Sequence, residues 1–196
     1  VGVPVKEVAA VDFGNKTAAP AAGARYDEAE LIDGSVIRCG GFKVRGKRFE
    51  PALLSGPDGV PPPRAEVPLD NLFAVLRGAD DPKARDEWRK LLAGRGKRDL
   101  FVVKGAEGFS PVPGTVLEGN ETGEAVTFER ETDGQRVAMP LRRATGGLVF
   151  NQPPRGVIPP TVCKVIDVFG NVHYRSVLLN IPPAFVYTCR VGPAPR

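Results

Sequence analysis

The sequence predicts a mostly β fold: tandem small five-stranded barrels of the SH3 or Sm type, joined by one short α-helix and accompanied by a partial third β unit. Three observations lead there. Short runs rich in β-branched and aromatic residues are separated by Pro- and Gly-rich breaks at "AAPAAGA" (18–24), "GPDGVPPPR" (56–64), "NQPPRGVIPP" (151–160) and the terminal "GPAPR". These runs fall into two groups of five in the same order. One phrase, a strand ending at a proline and followed by a second strand, recurs as "VPVKEVAAVDF" (3–13), "RAEVPLDNLFAVLR" (64–77) and "VAMPLRRATGGLVF" (137–150).

In the first group the expected strands are "YDEAELI" (26–32), "SVIRCGGFKV" (35–44), "KRFEPALL" (47–54), "RAEVP" (64–68) and "LFAVL" (72–76). Asp33-Gly34-Ser35 and Pro57-Asp58-Gly59 supply the residue types that tight turns require. The second group repeats the order with "DLFVVK" (99–104), "GTVLEG" (114–119), "EAVTFERE" (124–131), "QRVAMP" (135–140) and "GGLVF" (146–150), with a turn at Thr132–Gln135. In a five-stranded barrel of this type the fourth and fifth strands are joined by a single 3₁₀ turn. Pro4, Pro68 and Pro140 are therefore expected at barrel corners, where ladder pairing ends and a missing N–H costs nothing. Leu69 and Leu141 then turn inward to plug each barrel.

Between the groups, "DDPKARDEWRKLLAG" (80–94) carries helix signals: Asp81 as N-cap, Pro82 at the first position and Gly94 as the stop. Ala84, Trp88, Leu91 and Leu92 form one apolar stripe, and Asp86 and Lys90 are spaced to pair on the other side. Trp88, Leu91 and Leu92 are the expected inter-domain packing residues, a wedge that orients the two barrels. The resulting division is 1–17, the final two strands of a barrel unit; 25–78, the first barrel; 80–95, the connecting helix; 98–150, the second barrel; 151–160, a Pro-rich linker; and 161–196, a partial third β unit completed by residues 1–13.

The search for chemistry returns little. The 27 basic and 23 acidic residues are interspersed, so the net charge of +4 describes a mixed surface and argues against a dedicated nucleic-acid groove. Three cysteines without CxxC spacing and a single histidine, His173, leave no four-ligand zinc set. Cys163 and Cys189 pair only if their strands lie side by side; buried inert thiols are the favoured reading. His173 lies in a strand-like run and offers little for a nucleophilic triad, and no phosphate-binding glycine loop occurs. No catalytic, cofactor or metal residues are assigned, and the chain is expected not to be an enzyme. No run approaches the roughly 18 residues needed to cross a bilayer as a helix, and the start lacks both Met and a signal pattern, as expected of a processed or excised chain. Most aromatics occupy alternating, core-like strand positions; Phe109 and Tyr174 are the exceptions and the candidate ligand contacts.

Together, "LIDGSVIRCGGFKVRGKRFEP", "DEWRKLLAGRGKRDLFVVK", "PGTVLEGNETGEAVTFERE", "TGGLVFNQPPRG" and "CKVIDVFGN" resemble a group of planctomycete envelope proteins of the kind that often carry an NPCBM-type, carbohydrate-binding domain. The resemblance covers roughly residues 1–172; from His173 onward the closing Pro-Leu phrase is missing. It implies an extracytoplasmic location, in the periplasm or at the cell surface, and a non-enzymatic scaffold. The expected partners are protein, either self or an envelope component, with glycan binding as the alternative. Strands left open at the two ends would serve self-assembly.

Overall fold

The computed structural model describes residues 23–54, 64–142 and 145–152 in full, together with the backbone of the strands at 10–12, 163–166, 172–175 and 188–190. After β1 (Ala10–Asp12), a first group of strands comprises β2 (Asp27–Leu31), β3 (Val36–Arg45), β4 (Arg48–Leu53), β5 (Val67–Pro68) and β6 (Leu72–Leu76). Helix α1 (Pro82–Ala93) separates it from a second group: β7 (Asp99–Gly105), β8 (Gly108–Gly119), β9 (Ala125–Arg130), β10 (Arg136–Pro140) and β11 (Thr145–Val149). Each group pairs internally in the same order, β6-β2-β3-β4-β5 and β11-β7-β8-β9-β10, always antiparallel. The last strands of the two groups pair with each other, β6 to β11, so the ten strands form one curled antiparallel sheet.

The two proline corners coincide in their bonding. Pro68 ends β5 opposite Arg48, and the Leu69 N–H donates to the Lys47 carbonyl at 3.0 Å. Pro140 ends β10 opposite Ala125, and the Leu141 N–H donates to the Glu124 carbonyl at 2.8 Å. Both leucines are buried, turned inward as expected. A 3₁₀ turn, Leu69–Asn71, follows the first corner, and a Thr145 N–H to Arg142 carbonyl bond of 3.1 Å closes the corresponding turn at the second. Pro4 lies outside the described residues, as does the turn expected at 57–59.

An approximate two-fold axis relates the halves. It passes between Val75 and Leu148, which face each other on β6 and β11; a second point of contact between the halves joins Gly46 and Gly119, whose backbones exchange hydrogen bonds of 3.0 and 2.8 Å. The approach at the second point is so close that a Cβ on Gly119 would overlap the Val44 carbonyl, which explains the residue type. The same axis maps the Asp27 carboxylate, which accepts the Gly78 N–H at 3.0 Å, onto Asp99, which accepts the Asn151 N–H at 2.6 Å.

Alternation along the central strands assigns their two faces. Ala29, Val75, Leu148 and Phe101 stand in one cross-strand row and enter a core that contains Phe49, Val67, Leu69 and Leu72 from the first half with Val126, Phe128, Leu141 and Phe150 from the second. The halves thus share one apolar interior. Burying side chains of this size contributes about 1.5–3 kcal/mol each. Ala74, Leu76, Leu100, Val102 and Val149 point to the opposite face and pack with Trp88. Strands at the seam are buried on both sides, which is why β6 and β11 read as continuous apolar runs.

Helix α1 covers that second face. The Asp81 carboxylate accepts the Lys83 N–H at 2.9 Å, Pro82 opens the helix, and Gly94 closes it with its N–H on the Lys90 carbonyl. Trp88 and Ala84 are buried; Leu91 and Leu92 are half-buried against the same cluster. Trp88 therefore spans the seam, touching a cluster drawn from β6, β7 and β11. On the exposed side Asp86 pairs with Arg89 at 3.0 Å, replacing the expected Asp86–Lys90 pair, because the i,i+3 guanidinium reaches the carboxylate first.

Strand β8 is longer than its sequence suggests. Pro111 and Pro113 would normally exclude "GFSPVP" from a ladder, yet Gly108–Gly114 pairs along β7. The Pro113 carbonyl accepts the Glu131 N–H on the side away from β7, so the ring nitrogens of Pro111 and Pro113 also face away and no β7 bond is lost.

The remaining strands, β12 (Cys163–Ile166), β13 (Val172–Arg175) and β14 (Thr188–Arg190), bring the chain ends together. β1 pairs with β14, β14 with β12, β12 with β13, and β13 meets β3 at Val172 opposite Val36. With Lys164 opposite Arg190, Cys163 and Cys189 lie on neighbouring strands but not opposite each other. Tyr174 and His173 fall on β13. Among the described residues no helix is long and apolar enough to cross a membrane.

Candidate functional site

Two-fold related clefts open where the halves meet. The first, about 470 Å³, is bounded by Lys47, Leu69 and Asp70 from the first half and by Thr115, Glu118 and Phe150 from the second. The second, about 320 Å³, is bounded by Phe42, Lys43 and Arg77 from the first half and by Glu124, Leu141 and Arg142 from the second. Pseudo-symmetry pairs Leu69 with Leu141, Lys47 with Glu124, Asp70 with Arg142 and Phe150 with Arg77. The backbone is common to both clefts; the charges are not.

Asp99 anchors the larger cleft. Its two carboxylate oxygens accept the Val116 N–H at 2.8 Å and the Asn151 N–H at 2.6 Å, so it ties β7 to β8 and to the end of β11 and is not free for chemistry. Arg98, one of the basic residues at its mouth, pairs with Glu131 at 2.9 Å. The remaining lining charges, Lys47 and Lys97 against Asp70 and Glu118, balance.

The smaller cleft is held together by contacts across the halves. The Val44 N–H donates to the Gly123 carbonyl at 3.0 Å, and Arg45 Nε donates to the Glu121 carbonyl at 3.1 Å. Arg142 pairs with Glu124. The Arg77 guanidinium lies 4.6 Å from the centre of the Phe42 ring, and its Nε is buried without an acceptor among the described residues. Behind it lie Asp27 and Cys39. Burial raises the Asp27 carboxyl above its ordinary range, against the lowering effects of the Gly78 N–H and Arg77, while Asp80 adds to the rise. Burial, with the Asp27 charge beside it, pushes the Cys39 thiol up to about 12, so it stays protonated and unreactive at neutral pH.

The candidate contacts named from sequence have definite places. Phe109 is half-buried and its ring meets Trp88 edge-to-face, 5.6 Å between centroids. It packs over Gly146, where a Cβ would collide with the ring, while a Cβ on Gly147 would strike Trp88. The Gly-Gly pair in "TGGLVF" is thus a seat for the Trp88–Phe109 pair. The side chain of Tyr174 lies outside the described residues. Sequence reasoning missed Arg77 entirely, because only the tertiary fold brings residues 42, 77, 124 and 142 together. It also missed Tyr26, whose ring has the Arg38 and Arg85 guanidinium groups at 5.3 and 5.7 Å and whose hydroxyl accepts from Arg85, fastening α1 to β2.

Among the described residues no group of three or more His, Cys, Asp or Glu side chains is placed to hold a metal ion. No protein-family model matches the chain, and no curated protein or solved structure matches it either.

Proposed function

We propose that this protein is a non-enzymatic interaction module of the bacterial cell envelope, built from two SH3/Sm-like five-stranded barrels fused at their last strands, and that it associates with further copies through its terminal strands. One observation carries the reading: β1, from one end of the chain, pairs along its length with β14, from the other. A strand held by backbone bonds to a distant segment can be replaced by the same strand of another copy, since the register and the bonds are identical. Among the described residues the group β1, β14, β12 and β13 joins the main sheet at one residue pair, so exchange leaves the ten-strand body intact. Exchanged reciprocally the strand closes a pair, and passed from copy to copy it builds a chain. The envelope location rests on the sequence resemblance.

Light scattering on the full chain over a range of concentrations tests this. A mass that rises with concentration, and protein lacking residues 1–13 that stays monomeric because β1 is gone, is the expected result. A monomer at every concentration would overturn the reading.

A further inference from the structure

We propose that the smaller cleft at the seam, beside Arg77, is a binding site for an oxyanion, the carboxylate or phosphate group of a small ligand. The inference goes beyond strand exchange and does not depend on it.

The charge balance is the first argument. Three cations, Lys43, Arg77 and Arg142, line the cleft against one carboxylate, Glu124, and that carboxylate is already paired with Arg142. Lys43 and Arg77 remain in excess. Lys43 is exposed at the mouth, while Arg77 lies deeper, backed by the Phe42 ring.

The state of Arg77 is the second. Among the described residues its Nε is buried with no acceptor, and no carboxylate makes an ion pair with it. The Asp27 carboxyl feels its charge, but an Asp27 oxygen is committed to the Gly78 N–H. A guanidinium carried into a partly water-excluded cleft with unused donors is costly in the free protein. It becomes favourable when a planar or tetrahedral oxyanion accepts from the fork, and the aromatic floor strengthens that attraction by excluding water.

The third argument is internal to the molecule. The two-fold equivalent of Arg77 is Phe150, which is buried and fills the matching position with an apolar ring. The fold is satisfied there without a charge. Arginine at 77 is therefore not a requirement of the architecture, and its cost is explained by a ligand. The equivalent of Arg142 is Asp70 and that of Glu124 is Lys47, so the positive excess belongs to one cleft only.

Inorganic phosphate and acetate are the probes, each titrated into the full chain at constant ionic strength while the Arg77 Nε–H resonance and the thermal midpoint are followed. Saturable movement of that resonance, with a rise in midpoint that chloride does not reproduce, is expected for at least one probe; which one responds separates phosphate from carboxylate. Lys43→Gln should weaken binding by about 3- to 10-fold, the loss of one charge-assisted contact. Arg77→Phe, which copies the two-fold position, should stay folded and lose binding, and Lys97→Gln in the other cleft should change nothing. Linear, non-saturating shifts with both probes would overturn the proposal, as would equal binding by the Lys43→Gln and wild-type proteins, whether or not Arg77→Phe folds.

Discussion

Residues 27–78 and 99–151 build the same frame from different side chains, and the contrast shows which positions the frame depends on. Both halves keep an aspartate at the start of the first strand, each accepting a backbone N–H just past the last strand: Asp27 from Gly78 and Asp99 from Asn151. Both keep a proline that ends the fourth strand and a buried leucine after it. Elsewhere they diverge. Arg77 answers to Phe150, Lys47 to Glu124 and Asp70 to Arg142, all at positions lining the clefts. Backbone hydrogen bonds and the plug are therefore held in common, while cleft chemistry is free to differ.

The comparison breaks most visibly if the halves unfold apart. Trp88 is the single tryptophan, so its fluorescence reports the seam directly. Trp88→Ala should cost about 3–4 kcal/mol, because the ring is buried against strands of both halves. It should nevertheless leave one cooperative urea transition by circular dichroism, since β6–β11 pairing and the shared interior persist. Two separated transitions would mean that the helix alone unites the halves.

A slightly smaller effect is expected on the axis itself. Leu148→Ala should cost about 3 kcal/mol and Val75→Ala about 2 kcal/mol, each lowering the single midpoint seen by both fluorescence and circular dichroism. If Leu148→Ala moved only one of the two signals, the common core would be refuted.

The two aspartates provide the finest test. Asp99 accepts with both oxygens, and asparagine can replace only one of these bonds, so Asp99→Asn should cost about 1–2 kcal/mol. Among the described residues the only hydrogen bond to the Asp27 side chain is from the Gly78 N–H, which asparagine can also satisfy, so Asp27→Asn should be close to neutral or stabilising at pH 7. Because the folded Asp27 carboxyl is raised above 3.8, the native state holds its proton longer than the unfolded chain. Its contribution is present below that value and is lost as pH rises through the folded value, so wild-type stability should decline relative to Asp27→Asn over that window. Equal pH profiles for the two proteins would contradict the burial of Asp27.

Much of the frame is legible in one dimension because it is set by local rules. Asp81, Pro82 and Gly94 bound α1 to within a residue or two, and Val67-Pro68-Leu69 and Met139-Pro140-Leu141 mark the corners, since an N–H is either available or absent whatever the surroundings. The first half of β8 was hidden by Pro111 and Pro113, whose harmlessness depends on which edge of the strand faces a partner. Candidate contacts fared according to the same division: Phe109 reads as unpartnered along the chain and is claimed by Trp88 in space.

Residue order alone determined where strands, corners and the helix begin and end, because propensity, capping and proline chemistry act over a few neighbours. Only the tertiary structure decided that β6 pairs with β11, that one interior serves both halves, and that Lys43 and Arg77 meet Arg142 across the seam. Those outcomes depend on contacts between residues dozens of positions apart, whose energy comes from excluding water jointly and leaves no mark on any one segment.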